Sequence, residues 1–312
     1  MTLTELRYIL ALAQEKHFGR AAEICGVAQP SLSVAVKKLE EELKIKIFER
    51  RSNEVTPTPI GTLVLQQAQR VIESAEKLRE CAEQGRDPLS GPLRLGVIYT
   101  IAPFLLPQLV TRIHAKAPTM PLVISENYTA DLLEALKTGQ IDCAILSLPV
   151  QQAGLMMQPL YDEDFVVAVP ADHPIADNSD ITREQIASES MLLLGSGHCF
   201  RDQILNFCAD AMRTDANGKR TLEGTSVQTI VYMVAQGLGV TIIPSSAQPV
   251  YGGTPGIKIL PFLAPGIPRR RVALVWRKSF PRTAAVEALR DAVSHISLPG
   301  CRLLTSLPPI AA

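Results

Sequence analysis

Apolar residues at Leu32, Val36, Leu39 and Leu43 recur at steps of four, three and four, which draws one buried stripe along a helix. Just upstream, Phe18, Ala21, Ala22 and Cys25 give the inner face of a shorter helix. Gly26 breaks it, and Gln29-Pro30-Ser31 starts the next with proline near its first turn. Residues 3–57 therefore read as helix, helix, turn, helix and a short hairpin. The hairpin arms are placed at residues 45–48 and 55–58, with Arg50-Arg51-Ser52-Asn53 as a basic turn between them. Outside the stripe the third helix shows Ser31, Ser33, Val34, Lys37 and Lys38, small polar and basic side chains suited to a major groove.

Residues 59–85 continue as one long helix. Val64, Ala68, Val71, Ala75, Leu78 and Ala82 alternate at four and three, a heptad seam that needs either a partner helix or a surface on its own chain. Gly, Pro, Asp and Ser cluster at 85–92 and end it. Strand and helix then alternate: a strand at 93–99, a helix to 116, a strand at 122–128, a helix to 138 and a strand at 141–148. That rhythm predicts a parallel sheet with crossover helices. A second block has strands at 165–169, 191–194, 221–223 and 240–243, after which 271–276 and an amphipathic helix near 286–296 return to the first block. Two α/β lobes joined by crossovers near 160–164 and 265–269 describe a periplasmic-binding-protein-like fold with a cleft. The expected division is a winged helix-turn-helix DNA-binding domain at 1–58, a linker helix at 59–90 and a regulatory domain at 91–312. Lobe I takes 91–163 and 268–312, and lobe II takes 164–267.

Composition adds exclusions. The 312 residues are 46% hydrophobic and formally uncharged overall, so nothing pulls the whole chain towards nucleic acid or membrane. Residues 1–58 hold nine Lys or Arg against eight Asp or Glu, so charge alone does not separate a DNA reader from a solvated helical scaffold; the order of elements favours the reader. The chain opens on no signal-peptide pattern and has no run of about 18 apolar residues, which leads us to expect a soluble, cytoplasmic protein with no membrane partner. In that compartment six cysteines are not a disulfide framework. None forms a Cys-x-x-Cys pair, and His17, His114, His173, His198 and His295 show no ligand spacing, so neither a metal nor another cofactor is expected.

The most informative stretch runs from Gly195-Ser196-Gly197-His198-Cys199 through Arg201-Asp202-Gln203 to Cys208. It reads as a helix starting near Cys199. Nine residues along a helix span roughly 13 Å, with the two side chains on opposite faces, whereas a disulfide needs Cα atoms within about 7 Å. Joining them would require the helix to unwind. A helix N-terminus with His198 and Arg201 beside it favours a reactive thiolate at Cys199, which a peroxide would oxidise to a sulfenic acid. Cys208 reads either as the partner thiol or as an ordinary core cysteine. Thr100 and Thr129 each follow a strand, where they are either helix N-caps or polar groups facing the crevice at the strand ends.

Phe18-Gly19-Arg20-Ala21-Ala22, Gln29-Pro30-Ser31-Leu32-Ser33, Leu39-Glu40, Phe48-Glu49-Arg50, Thr56-Pro57 and Gly61 resemble the winged helix-turn-helix of LysR-type transcriptional regulators. With the Gly-x-Gly-His198-Cys199 stretch, Cys208, Thr100 and Thr129, the whole chain resembles the hydrogen-peroxide-sensing members of that family. The resemblance implies a transcriptional regulator, not an enzyme, that controls antioxidant genes and senses peroxide through Cys199 as peroxidatic and Cys208 as resolving residue. It implies a peroxide pocket of Thr100, Thr129, His198 and Asp202, and double-stranded DNA contacted by Gln29, Pro30, Ser31, Ser33, Lys37, Arg50 and Arg51. It further implies a homodimer formed through Val64, Ala68, Val71, Ala75 and Leu78, a homotetramer, and RNA polymerase as a partner. Phe200 departs from the smaller aliphatic residue expected there. Two rivals stay open: a LysR-type regulator answering a small organic effector, and a cytosolic thiol peroxidase.

Overall fold

The computed structural model describes the chain except for residues 52–53, 84–88, 151, 213–221, 225, 305–307, 309 and 312; at 50, 51, 54, 77–83, 209–212, 222, 310 and 311 it describes the backbone alone. Two compact units result. One comprises residues 1–88, 134–140 and 278–283, the other 89–133, 141–277 and 284–312.

The first unit begins with α1 (Leu3–Glu15), α2 (Phe18–Ile24) and α3 (Gln29–Leu43), followed by β1 (Phe48–Arg51), β2 (Glu54–Pro57) and α4 (Pro59–Glu83). Thr2 and Glu5 form a capping box on α1, and the imidazole of His17 accepts from the first amides of α2. Leu6, Ile9 and Leu12 pack with Ala21, Ala22, Leu32, Val36 and Leu39 in one core, with the faces of α2 and α3 turned inward as their spacing predicts. The hairpin differs from the reading above. Its first strand starts later and its second one residue earlier, and Arg50 and Arg51 belong to β1, paired with Val55 and Glu54, while Ser52 and Asn53 of the expected turn lie outside the described residues. Gly61 permits a close approach there, since a Cβ would lie 2.0 Å from the Ile47 carbonyl oxygen.

The seam on α4 is also corrected. Leu65, Ala68 and Ile72 are buried in the unit's own core, with Val64 against it, while Ile60, Leu63 and Val71 are exposed. Ala68 therefore serves the chain's own fold, and the outward apolar row passes through Val71 and the half-buried Ala75. The side chain of Leu78 lies outside the described residues.

After α4, β3 (Leu93–Ile98), α5 (Ala102–Lys116), β4 (Leu122–Asn127), α6 (Thr129–Lys137) and β5 (Cys143–Leu148) form the expected βαβαβ run, with β3 parallel to both β4 and β5. Then comes β6 (Leu155–Pro170), a single 16-residue strand. It is followed by α7 (Arg183–Ala187), β7 (Leu192–Leu194), α8 (Cys199–Met212), β8 (Leu222–Gly224), α9 (Val227–Ala235), β9 (Thr241–Pro244), α10 (Gln248–Tyr251) and β10 (Ile257–Pro261). β11 (Arg269–Arg277), α11 (Thr283–Ser294), β12 (Cys301–Leu303) and β13 (Ile310–Ala311) complete the chain.

The crossover expected as a connection at 160–164 is the middle of β6. Its first part pairs with β11, β12 and β13, and its last part with β9 and β10, so one strand belongs to both lobes. The run Asp162-Glu163-Asp164 reads as loop because three acids in a strand need partners. β11 supplies them, since Arg271, Arg270 and Arg269 stand opposite in register, with ion pairs of 2.7, 2.6 and 3.4 Å.

Candidate functional site

Cys199 is the first residue of α8 and is half-buried and free. The preceding Gly197 adopts φ +97°, where an added Cβ would sit 3.3 Å from the Tyr128 ring, so glycine lets the loop pass the aromatic. His198 is buried and packs edge-on to Tyr128 and Tyr99, with ring centroids 4.8 and 6.0 Å away.

The positive charge at this site does not come from Arg201. That guanidinium donates to the Leu194 carbonyl at 3.1 Å and pairs with Glu223 at 2.5 Å. Arg270 of β11 supplies it instead. Arg270 is fully buried, with Nη1 donating to the Thr100 hydroxyl at 2.7 Å, Nη2 to the Thr100 carbonyl at 2.9 Å and Nε to Glu163 at 2.6 Å. Burial opposes its charge, but Glu163, Tyr161 and Cys199 together outweigh that and push the guanidinium further up. The sequence reading missed Arg270 because it stands about 70 residues from the motif, in a run of three arginines that looks like a solvated charge cluster.

Thr100 and Thr129 do not cap helices. Thr100 is held by Arg270, the N-cap of α5 is Ile101, and the buried Thr129 hydroxyl, on the first residue of α6, has no hydrogen-bond partner. Both facts favour the crevice reading. Asp202 departs from it, being solvent-exposed in the first turn of α8 rather than in the buried cluster. Gln203 turns inward in its place, donating to the buried Ser147 hydroxyl at 2.8 Å while its side-chain oxygen is buried without a partner.

Cys208 sits on the far side of α8, fully buried in the lobe II core, and burial pushes its thiol up. The two cysteines thus share one intact helix. Phe200 is buried beside Cys199, with its ring 4.8 Å from Phe165 and 5.2 Å below the Arg270 guanidinium carbon. A cavity of about 400 Å³ adjoins Thr100 and His198 and is lined further by Tyr99, Phe104, Tyr128 and Gln228. Among the described residues no group of three or more His, Cys, Asp or Glu could hold a metal ion, and no helix is long and apolar enough to cross a membrane.

In the first unit Gln29, Pro30, Ser31, Val34, Lys37 and Lys38 are exposed along α3, and Ser33 is half-buried. Arg50 and Arg51 lie on the adjacent β1, with their side chains outside the described residues. Glu40 has a structural role that its place in the motif does not show. It is buried, accepting from the amides of Ile47 and Phe48 at 2.9 and 3.1 Å and from Lys46 at 2.8 Å, which fastens α3 to the hairpin.

A helix-turn-helix reader followed by a two-lobed α/β unit agrees with the family comparisons. The profile of the bacterial regulatory helix-turn-helix protein, lysR family, matches residues 3–62, and that of the LysR substrate binding domain matches 86–296. The hydrogen peroxide-inducible genes activator of Dickeya chrysanthemi is 38% identical over 299 residues, 96% of this chain and 97% of that one. The DNA-binding transcriptional dual regulator OxyR of Escherichia coli (strain K12) is 37% identical over 293 residues, covering 94% and 95%. The structure of full-length OxyR C199D from Pseudomonas aeruginosa superposes with TM-score 0.83 at 48% identity, covering 99% of each chain. The chain belongs to the LysR family of bacterial regulators, in its OxyR group.

Proposed function

We propose that this chain is a hydrogen-peroxide-sensing activator of transcription, switched by oxidation of Cys199 and a disulfide to Cys208. One observation carries the reading: Cys199 opens a helix beside the charge of Arg270, with the partnerless Thr129 hydroxyl buried at the head of α6 and a second thiol buried on the same helix. The Cys199 thiolate attacks one peroxide oxygen, the O–O bond breaks, and the departing hydroxide takes a proton to leave as water. Thr100, Thr129, His198 and Arg270 hold peroxide and steady the charge on the leaving oxygen. The Cys208 thiol then attacks the Cys199 sulfenic sulfur, a second water leaves, and the disulfide forms.

That disulfide is incompatible with α8, because about 13 Å separates residues nine apart on a helix. Oxidation therefore reshapes lobe II. The exposed row on α4 pairs two chains, and a tetramer presents two such pairs of readers to DNA, where α3 enters the major groove, β1 lies on the backbone and the activated form engages RNA polymerase. The division into residues 1–58, 59–90 and 91–312 assigns reading, pairing and sensing to successive segments.

The test is peptide mapping of the full chain after stoichiometric peroxide. A Cys199–Cys208 link is expected in the wild type, a sulfenic acid in Cys208→Ser, and neither in Cys199→Ser, whose DNA binding stays intact. A Cys199→Ser protein that still changed transcription on peroxide would sink the assignment. One observation favours a second reading, a small organic effector: the 400 Å³ cavity is far larger than peroxide needs. A transcriptional response to a small organic compound that survives in Cys199→Ser but is abolished by Gln228→Trp, which fills that cavity, would favour it.

A further inference from the structure

Among the described residues, Glu163 is a buried charge beside the site to which the peroxide chemistry assigns no task. It stands on β6, and its carboxylate is divided: Oε2 accepts from Arg270 Nε at 2.6 Å, and Oε1 accepts from the backbone amide of Ser246 at 3.1 Å. Both charged side chains are completely buried. Stability alone does not account for such a pair, because desolvating two charges offsets most of their attraction and apolar replacements are often as stable. Geometry does account for it. A guanidinium is a rigid planar fork of five N–H donors, so fixing Nε fixes the direction of every other donor. With Nε on Glu163, the terminal nitrogens fall on the hydroxyl and the carbonyl of Thr100, while the Phe200 ring closes one face.

We propose that Glu163 is a positioning residue for the peroxide reaction, which locks the Arg270 guanidinium in the single orientation that holds the Thr100 hydroxyl in place beside Cys199. The inference rests on Cys199 being the peroxide-reactive thiol. Glu163 forms no bond to peroxide; it acts only through Arg270. Because its other oxygen is anchored to Ser246 in lobe II and Thr100 follows a lobe I strand, the same chain of contacts ties the orientation of the site to the relation between the lobes.

The experiment compares two reactions of Cys199 in the reduced full-length chain at one pH: oxidation by hydrogen peroxide and alkylation by iodoacetamide. In Glu163→Gln the acceptor remains but the charge is lost. Peroxide oxidation is expected to slow by roughly tenfold, as for loss of one oriented hydrogen bond, while alkylation holds or rises, since the Arg270 charge is then uncompensated near the sulfur. Glu163→Asp keeps the charge on a shorter arm and is expected to slow peroxide oxidation in the same way. An unchanged peroxide rate in a folded variant overturns the proposal, as does equal slowing of both reactions. Failure of both variants to fold also overturns it, by making the pair a folding determinant. A wild-type chain whose Cys199 resists peroxide would instead remove the underlying reading, before any variant is compared.

Discussion

Arg270 holds Thr100 at two points, the hydroxyl at 2.7 Å and the carbonyl at 2.9 Å, although 170 residues separate them. Arg270 is on β11, and Thr100 follows β3, the first strand of lobe I. Arg270→Lys keeps the charge but has no fork to bridge both oxygens. Peroxide oxidation of Cys199 is expected to slow at least tenfold, while alkylation by a neutral reagent changes less than threefold, both read by stopped flow as a loss of about 1.4 kcal/mol or more in one reaction alone.

Thr129→Val removes a buried hydroxyl that satisfies nothing in the unliganded fold. Melting temperature should hold or rise, because a buried polar group without a partner costs about 1–3 kcal/mol. Oxidation by peroxide should nevertheless slow by roughly tenfold. A slowed alkylation rate, or a lowered melting temperature, would show that Thr129 acts on the thiol or the fold instead.

Phe200→Leu removes the ring packed between Phe165 and Arg270. The reduced form is expected to lose about 1–2 kcal/mol from the smaller side chain and the lost cation–π contact. The Cys199–Cys208 disulfide should then form faster after a peroxide pulse, because the helix carrying both thiols opens more readily. Rapid-quench mapping of the disulfide checks this, and unchanged kinetics would show that the ring does not restrain the loop.

Asp162 gives the sign of the acid response. The hydrogen bond from Arg271 holds its carboxyl below the ordinary value, against the opposing effect of burial. A carboxyl depressed in the folded state adds stability that is present above its unfolded value, about 3.9, and is lost as pH falls through the folded value. Asp162→Asn should therefore lower the melting temperature at pH 7, and the difference from the wild type should shrink as the pH falls below about 3.9 and on through the folded value. A constant difference across that range would count against the ion pair.

On DNA, Arg50→Ala should weaken binding across unrelated sequences and make the salt dependence shallower, with the slope smaller by about 1, as for one lost phosphate contact. Fluorescence anisotropy over a salt series measures both. A changed preference at one base position with the slope intact would mean that β1 reads bases.

The apolar stripes of α2 and α3 and the strand ends carrying Thr100 and Thr129 were legible because each depends on neighbours within a few residues. So was α8, through Gly197 and the helical text after Cys199. β6 was not, since a strand holding Asp162, Glu163 and Asp164 is stable only opposite Arg269, Arg270 and Arg271, more than 100 residues away. The same distance hid Arg270 as the charge beside Cys199, and Arg201, adjacent in sequence, stood in for it wrongly. Ala68 was misassigned for a related reason: heptad spacing shows that a face is apolar but not which surface covers it.

The placement of both cysteines on one helix bears on timing. In the proposed switch, oxidation of Cys199 is local, and the signal passes to the rest of the lobe only when α8 opens and the sulfurs meet. A sulfenic acid reduced before that opening leaves no trace beyond the site. The helix thus works as a low-pass filter on the peroxide record, discarding brief excursions and transmitting exposure that outlasts its own unfolding time.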